Sequence, residues 1–417
     1  MTNNHLNKLS IVIGLSVATT TAMASPQQPM SSRSFAMAGT GVAIAHPAAA
    51  GMSNPAMLAA DNHNWSDDFG LILPSANARF ADEEKTVDQI DDIQDTIDDV
   101  QTAINSLDQE EAQQSAGELR RQLNDFDRDV TRVDAGLGLA VAVPTETASV
   151  AFFSNANLRA TARGEFDESD EQRLQAIENG ALDPNFSDEL QSRGSILASG
   201  VIEVGVSLAR SLELENGDSL QIGFSPKYVQ LRTFQYTETV SGFEDDDFDS
   251  DDSETKKSGL NFDLGAAYSF GEDKAWTAGA VVRNVIPMDL ESAANHPELG
   301  EEKRKLKLHP LVTAGIAHKG DFHVLTAELD LTEKEAFGYE DDTQWLALGA
   351  EFDAFRYAQL RAGIRHNLSS NDNNDGVEER TQLTAGIGLS VFGARLDIGA
   401  LFSDAEVGAA IELGAAF

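Results

Sequence analysis

Cysteine is absent from all 417 residues of this chain, and its absence removes several classes of protein at once. Disulfide bonds, thiol catalysis and cysteine-ligated metal sites are all excluded. Basic residues are scarce as well, because 30 lysines and arginines stand against 69 aspartates and glutamates, for a formal net charge of −39. Since such a chain repels the phosphates of nucleic acids, we expect no nucleic-acid partner.

Long apolar runs are also missing. Beyond the N-terminus no stretch reaches the roughly 18 apolar residues of a membrane-spanning helix, so helical spans are excluded there. The N-terminus carries Lys8, a short apolar core and the small residues Ala22-Met23-Ala24, which is the pattern of a secretory signal. We therefore predict a signal peptide over residues 1–24 and an exported mature chain, which can still cross a membrane with strands.

Catalytic motifs are the third absence. The sequence contains neither a Gly-x-Ser-x-Gly elbow nor a His-Glu-x-x-His zinc motif. Its histidines are scattered, and His318, His323 and His366 fall at the ends of predicted strands, where a solvated or interfacial histidine is the ordinary interpretation. We expect no enzyme activity and no cofactor.

Strict alternation of apolar residues with small or charged residues is what the chain has in abundance. A strand points successive side chains to opposite faces, so each alternating run has one apolar face and one small or charged face. Fourteen such runs lie near residues 69–80, 133–143, 149–160, 195–209, 219–235, 259–270, 275–286, 308–318, 321–331, 344–353, 357–367, 380–391, 394–402 and 405–417.

The connections between these runs alternate in length. The long ones are 81–131, 161–194, 237–258, 287–307, 332–343 and 368–379, and only the last connection is short where a long one is due. Outer-membrane barrels have an even number of strands, short periplasmic turns and long outer loops. We therefore predict an all-β fold: a 14-stranded antiparallel transmembrane β-barrel over residues 67–417, in the outer membrane of a Gram-negative cell.

The first long connection carries a helical pattern. Apolar residues recur every three or four positions from Ile90 to Leu107 and again from Leu119 to Val133. This spacing predicts a helical hairpin inserted over residues 83–131, acidic on its outer side. A helix pair that packs on itself as a cap is the simpler interpretation, and a coiled coil that binds a partner is the alternative.

Two connections hold oxygen-rich sequences that bear on metal binding. The loop at 244–254 is dense in carboxylates, so calcium ligands are available there, although a solvated acidic loop is the simpler interpretation. The run 371–376 resembles the start of an EF-hand, yet Asn371 replaces the first aspartate and Gln382 stands where a bidentate glutamate is required. We therefore predict no metal site in the chain and leave the loop at 244–254 open.

Charged residues fall on the faces that would line the lumen. Arg361 and Arg365 occupy neighbouring inward positions of one predicted strand, and Arg283 lies near the end of another. Because a guanidinium binds a carboxylate bidentately, these arginines are candidate partners for the acidic group of a cargo. The alternative is that they neutralise acids of a wet interior. The candidate lumenal acids are Asp263, Glu351 and Asp397.

Residues 25–66, between the signal and the first strand, are rich in glycine and alanine. Gly39-Thr40-Gly41 lacks the preceding strand and the Gly-Lys-Ser/Thr ending of a nucleotide-binding loop. A 14-stranded barrel is wide enough to need partial occlusion, so we predict that this segment is a plug. Its characteristic residues are Gly39, Gly41, Asn54 and Pro55.

This segment, closed by Asn54-Pro55-Ala56, resembles the N-terminal plug of the FadL-type outer-membrane channels for long-chain fatty acids and other hydrophobic compounds. The remainder resembles the outer-membrane TraF-type family of conjugal transfer proteins. The matching stretches are 261–265, 282–287, 327–332, 349–351 and 360–365. The resemblance covers nearly the whole mature chain and implies a 14-stranded barrel.

Two functions follow from the resemblance. The FadL likeness implies a channel for hydrophobic or amphipathic small molecules, surrounded by outer-membrane lipid, whose cargo the sequence does not identify. The alternative is a structural or accessory component of a conjugal transfer or surface apparatus, whose proteins would dock on the helical hairpin. A transporter needs a continuous path and a movable plug, whereas a scaffold tolerates a filled barrel.

Overall fold

The computed structural model describes residues 31–60, 70–82, 86–143, 148–242, 250–354, 357–369, 377 and 380–415. The predicted signal peptide and the EF-hand-like run lie outside these residues, as does most of the acidic loop at 244–254. Among the helices described, none combines the length and the apolar character that a membrane-spanning helix requires.

Fourteen antiparallel strands close into a barrel, as the alternating runs predict. They belong to a set of strands numbered β1 (Leu71–Asp82), β2 (Val130–Val143), β3 (Ser149–Glu165), β4 (Arg193–Glu213), β5 (Ser219–Thr239), β6 (Glu254–Phe270), β7 (Trp276–Arg283), β8 (Met288–Glu291), β9 (Lys305–Leu308), β10 (Leu311–Lys319), β11 (His323–Asp330), β12 (Trp345–Ala354), β13 (Ala358–Asn367), β14 (Thr381–Val391), β15 (Ala394–Phe402) and β16 (Glu406–Ala415). In the barrel β7 pairs with β10, and β1 closes the ring against β16. The prediction of fourteen barrel strands is confirmed.

The outward face of the barrel is apolar and the inward face is polar. On β13, Leu360 and Ile364 are exposed on the outside, whereas Arg361 between them is buried inside. The same order holds on β16, where Val407 and Ile411 are exposed and Glu412 is buried. This inverts the usual arrangement of a protein in water, because the largest apolar surface faces away from the interior.

Residues 31–60 lie inside the barrel. They form helix α1 (Ser32–Ala36), helix α2 (Pro47–Ala50) and a 3-10 helix (Pro55–Ala59). Helices of one turn are not stable in isolation, so packing against inward strand residues must hold them. Phe35 accordingly packs with Leu401 and Ala410 of the barrel wall.

The first two long connections carry three α-helices of more than two turns. They are α3 (Thr86–Ser106), α4 (Gln109–Phe126) and α5 (Glu168–Glu178). Asp108 caps α4 by accepting a hydrogen bond from the main-chain N–H of Glu111, and Asp167 caps α5 in the same way. Their apolar faces meet in one buried group, which we call the cap cluster: Ile93, Ile97, Val100, Ala103, Ile104, Ala112, Ala116, Leu119, Leu123, Phe126, Leu174, Ile177, Phe186, Leu190 and Val240.

The cap cluster gives a first prediction, because none of its buried residues belongs to a barrel strand. We expect Leu123→Ala to destabilise the cap by about 2–5 kcal/mol, since a fully buried leucine is removed. Limited proteolysis should then cleave within α3 and α4 while the barrel keeps its resistance to SDS. Gln114→Ala, on the exposed side of α4, is the control. Loss of the folded barrel in Leu123→Ala would contradict this separation.

A second, two-stranded sheet covers the barrel at the end where the long connections lie. Strands β8 and β9 pair with each other and not with the barrel. Their apolar residues join inward residues of the wall and residues of the connections after β11 and β13 in a buried group that we call the mouth cluster. It contains Ala81, Val130, Leu197, Val201, Val229, Leu231, Met288, Leu290, Leu306, Leu308, Phe337, Tyr339 and Val377.

Candidate functional site

Inward glycines of the barrel wall have no side chain, so atoms of the N-terminal segment lie directly against the main chain of the strands. A Cβ atom on Gly265 would lie 2.0 Å from Asn54 Oδ1, and one on Gly363 would lie 2.6 Å from the main-chain nitrogen of Ala38. Such distances are below any normal contact. Six glycines on six strands share this property, and we call them the glycine belt: Gly223, Gly265, Gly279, Gly349, Gly363 and Gly386.

The predicted plug residues take part in this close contact. Asn54 donates from Nδ2 to the carbonyl oxygen of Val42 (2.7 Å) and to that of Ala266 in the wall (3.3 Å). Its Oδ1 accepts from the main-chain nitrogen of Ala56 at 3.1 Å, so it caps the 3-10 helix that Pro55 begins. Gly39 has a φ of 91°, a left-handed conformation that favours glycine.

An ion-pair network fixes the beginning of the segment. Arg33 binds Glu351 bidentately, with Nε and Nη2 each 2.8 Å from a carboxylate oxygen. Arg361 donates from Nε to Glu351 (2.6 Å) and from Nη1 to Asp397 (2.6 Å), and Arg395 also binds Asp397. These side chains are buried. Three of the predicted lumenal residues, Arg361, Glu351 and Asp397, are therefore brought together, with the Arg361 guanidinium bound by two carboxylates.

Asp263 lies in a separate network on the other side of the lumen. Lys227 Nζ lies 2.8 Å from Asp263 and 2.7 Å from Glu203, and all three side chains are buried. Asp263 also accepts a hydrogen bond from the main-chain nitrogen of Asn284 at 2.7 Å. The lysine charge is thus shared between two acids of neighbouring strands.

Glu328 is a key lumenal residue that sequence reasoning missed. Its carboxylate accepts main-chain hydrogen bonds from Gly41 (2.9 Å), Val42 (2.7 Å) and Ala43 (3.3 Å). The predicted plug residue Gly41 is one of these donors. The signal available was only that Glu328 lies on the charged face of an alternating run, because its partners are main-chain groups nearly 300 residues away.

A cavity of about 130 Å³ lies between the N-terminal segment and the connection that follows β11. Cations outnumber acids around it. Its charged lining residues are Arg33, Arg79, Arg159, Arg283, Lys334 and Arg365, with Glu328 and Asp330. Arg79 and Arg159 are held by the buried Asp134, and Arg33 by Glu351.

Arg283 and Arg365 are the two predicted arginines that face this cavity. The Arg365 guanidinium lies 4.3 Å over the ring of Trp345 and donates from Nε to Gln382 at 2.6 Å. The buried Nε of Arg283 has no hydrogen-bond partner among the described residues. Arg361 does not line the cavity. The cavity thus offers one guanidinium with an unused donor, that of Arg283, and a second, that of Arg365, which lies over an aromatic ring. Within the described part of the chain, no group of three or more His, Asp or Glu side chains is placed to hold a metal ion.

Comparison with known proteins gives a family and a fold. The family model described as "F plasmid transfer operon, TraF, protein" matches residues 51–330. No curated protein matches the sequence.

Solved structures with the same fold include hydrocarbon channels. The TodX monoaromatic hydrocarbon channel, as a deltaS2 mutant, is 11% identical with a TM-score of 0.52, over 94% of this chain and 99% of that one. Its deltaS2S3 mutant is 10% identical with a TM-score of 0.51, over 92% and 98%. The Pseudomonas putida toluene transporter TodX is 12% identical with a TM-score of 0.50, over 94% and 98%. At these identities the likeness establishes the fold alone.

Proposed function

This chain belongs to the TraF family of the F plasmid transfer operon, and from that membership and its barrel we propose that it is an outer-membrane channel for hydrophobic or amphipathic small molecules. Its apolar outward face is the surface that lipid would cover. Aromatic residues add to this near the short turns, where Tyr268 and Phe270 stack at 5.4 Å and Trp276 follows at 6.5 Å. Such rings suit a membrane–water interface. In this proposal the predicted signal peptide over residues 1–24 directs export of the chain from the cytoplasm.

The observation that carries the proposal is the cavity inside a closed barrel of channel fold. In this proposal residues 25–66 are the plug below it, and the mouth cluster closes it above. The helical hairpin over 83–131 is an acidic cap on the outside. A small molecule would enter from the mouth, where the connections that cover the cavity are not part of the barrel sheet, and pass the plug last.

Within this channel the arginines have different roles. Arg361 is bound by Glu351 and Asp397, so we assign it to the neutralisation of the interior. Arg283 retains an unused buried donor and lines the same cavity as Arg365, so these two would receive the polar or anionic end of an amphipathic cargo. The ring of Trp345 beneath Arg365 would contact its apolar part.

A test follows from this division of roles. We expect deletion of the gene to lower uptake of labelled toluene or of a labelled long-chain fatty acid, with restoration by the wild-type chain. We expect Arg283→Ala to lower fatty-acid uptake about tenfold or more, since a charge-assisted hydrogen bond contributes about 1.5–3 kcal/mol, and to leave toluene uptake unchanged. Arg210→Ala, an exposed arginine on the outward face of β4, is the control.

The accessory role in a conjugal transfer or surface apparatus is the second candidate. The glycine belt and the ion pairs of Arg33 favour it, because they hold the plug on several sides and a filled barrel suffices for a scaffold. Unchanged uptake of both compounds in the deletion strain would contradict the channel. A lower conjugation frequency in the same strain, restored by the wild-type chain and not by a chain with a disrupted cap, would then support the accessory role.

A further inference from the structure

Two histidines meet outside the lumen, at the end of the barrel that carries the short turns. His318 Nδ1 lies 3.1 Å from His323 Nε2, and the two rings stack with centroids 5.2 Å apart and an interplanar angle of 21°. Residues 319–322 connect them between β10 and β11. The neighbouring Ala317 and Val324 are buried on the inward face, so both imidazoles lie on the outward face.

The strands hold both rings in place. The ring of Trp276, which is opposite His318 in the register of β7 and β10, contacts it edge-on with centroids 4.6 Å apart. The ring of His323 covers Gly320 so closely that a Cβ atom there would lie 2.5 Å from its Cε1. The turn itself is closed by a hydrogen bond from the main-chain nitrogen of Gly320 to the carbonyl oxygen of His323 at 2.8 Å. The pair is therefore built into the turn.

We propose that His318 and His323 form a two-histidine binding site for a divalent transition-metal ion. Imidazole nitrogen is a preferred ligand of Cu²⁺, Ni²⁺ and Zn²⁺. Nitrogens that are 3.1 Å apart and each roughly 2.05 Å from one ion subtend an angle of about 98°, which lies between square-planar and tetrahedral coordination. The remaining coordination positions would hold water, since no third ligating side chain joins this pair among the described residues.

Metal binding would replace a shared proton. Without an ion, one of the two facing nitrogens must carry the hydrogen that lies between them. When the ion binds, this proton moves to the other nitrogen of the same ring and both facing lone pairs become ligands. The ion would lie to one side of the line that joins the two nitrogens, so each ring would turn until its lone pair points at the ion. Cu²⁺ should bind most tightly of the three ions.

Trp276 makes the test direct. We expect Cu²⁺ added to the full-length protein in detergent to quench the fluorescence of Trp276, and its EPR spectrum to report two nitrogen ligands. Replacement of His318 or His323 by glutamine should weaken binding at least tenfold. His366→Gln is the control, because His366 lies on the opposite end of the barrel and binds Thr381 Oγ1 at 2.8 Å. Trp276→Phe should abolish most quenching and keep the EPR signal.

A substitution that keeps both histidines distinguishes binding at this site from adventitious metal binding. Gly320→Ala leaves both histidines present and displaces the ring of His323, so we expect several-fold weaker Cu²⁺ binding. Unchanged quenching and an unchanged EPR spectrum in the His318→Gln, His323→Gln double variant would overturn the proposal. This test is independent of transport, so its failure does not bear on the channel function.

Discussion

Replacement of Gly363 by valine should keep most of the protein from closing as a barrel around its N-terminal segment. A Cβ atom at residue 363 would lie 2.6 Å from both the main-chain nitrogen of Ala38 and the main-chain carbonyl carbon of Met37. Overpacking of a core commonly costs about 1–3 kcal/mol. Here main-chain atoms oppose the new side chain, and they cannot rotate away.

The measurement is the fraction of protein that migrates as a folded, SDS-resistant barrel without heating. We expect this fraction to fall about tenfold or more in Gly363→Val, because 1.4 kcal/mol is a factor of ten in an equilibrium. Ala362→Val is a close control, since it adds bulk on the same strand but on the exposed outward face. Equal folded fractions in the two variants would show that the N-terminal segment yields to a side chain at residue 363.

Replacement of Glu351 by alanine is the second change for which we expect a large effect. Glu351 binds Arg33 of the N-terminal segment and Arg361 of the wall, and both guanidinium groups are buried. Removal of one partner from a buried ion pair costs about 3–5 kcal/mol, because the remaining charge is left without compensation. We expect a lower urea midpoint and proteolytic release of the N-terminal segment.

A double variant distinguishes the effect of an uncompensated buried charge from the effect of losing the contact between residues 33 and 351. In Arg33→Met, Glu351→Leu the uncompensated charge of Arg33 is gone, and Arg361 keeps Asp397 as a partner. We expect this double variant to regain most of the lost stability, since apolar replacement of a buried pair is often close to neutral. Glu215→Gln, in an exposed short turn, controls for the loss of an acid. A double variant as unstable as Glu351→Ala would contradict the assignment.

The barrel could be predicted from the sequence because apolar and polar residues alternate within each strand, and this alternation shows the two faces of that strand. Alternation along β13 or β16 is visible without any partner strand. The short pair β8 and β9 could not be predicted, since four residues are too few for an alternating pattern. Their region was expected to be a plain connection over 287–307. Packing in the mouth cluster, which no local pattern encodes, makes them strands.

The sequence predicts which charged residues face the lumen, but not which residues each of them binds. Glu351 and Asp397 were recognised as lumenal acids, but their meeting at Arg361 depends on the register across four strands, which sequence spacing does not give. Glu328 was missed because main-chain nitrogens, which every residue has, are its partners. The alternating pattern shows that the inward face contains small residues, the glycines among them. Only the position of residues 31–60 explains why glycine is required there.

The two layers that close the lumen respond differently to temperature. The mouth cluster depends on apolar burial, whose driving force is largely entropic near room temperature and weakens on cooling. The N-terminal segment beneath it also packs apolar residues against the wall, but Arg33, Glu328 and other polar contacts hold it in addition, and these do not share this dependence. We therefore expect cooling to weaken the mouth cluster more than the contacts of the N-terminal segment, which are partly polar.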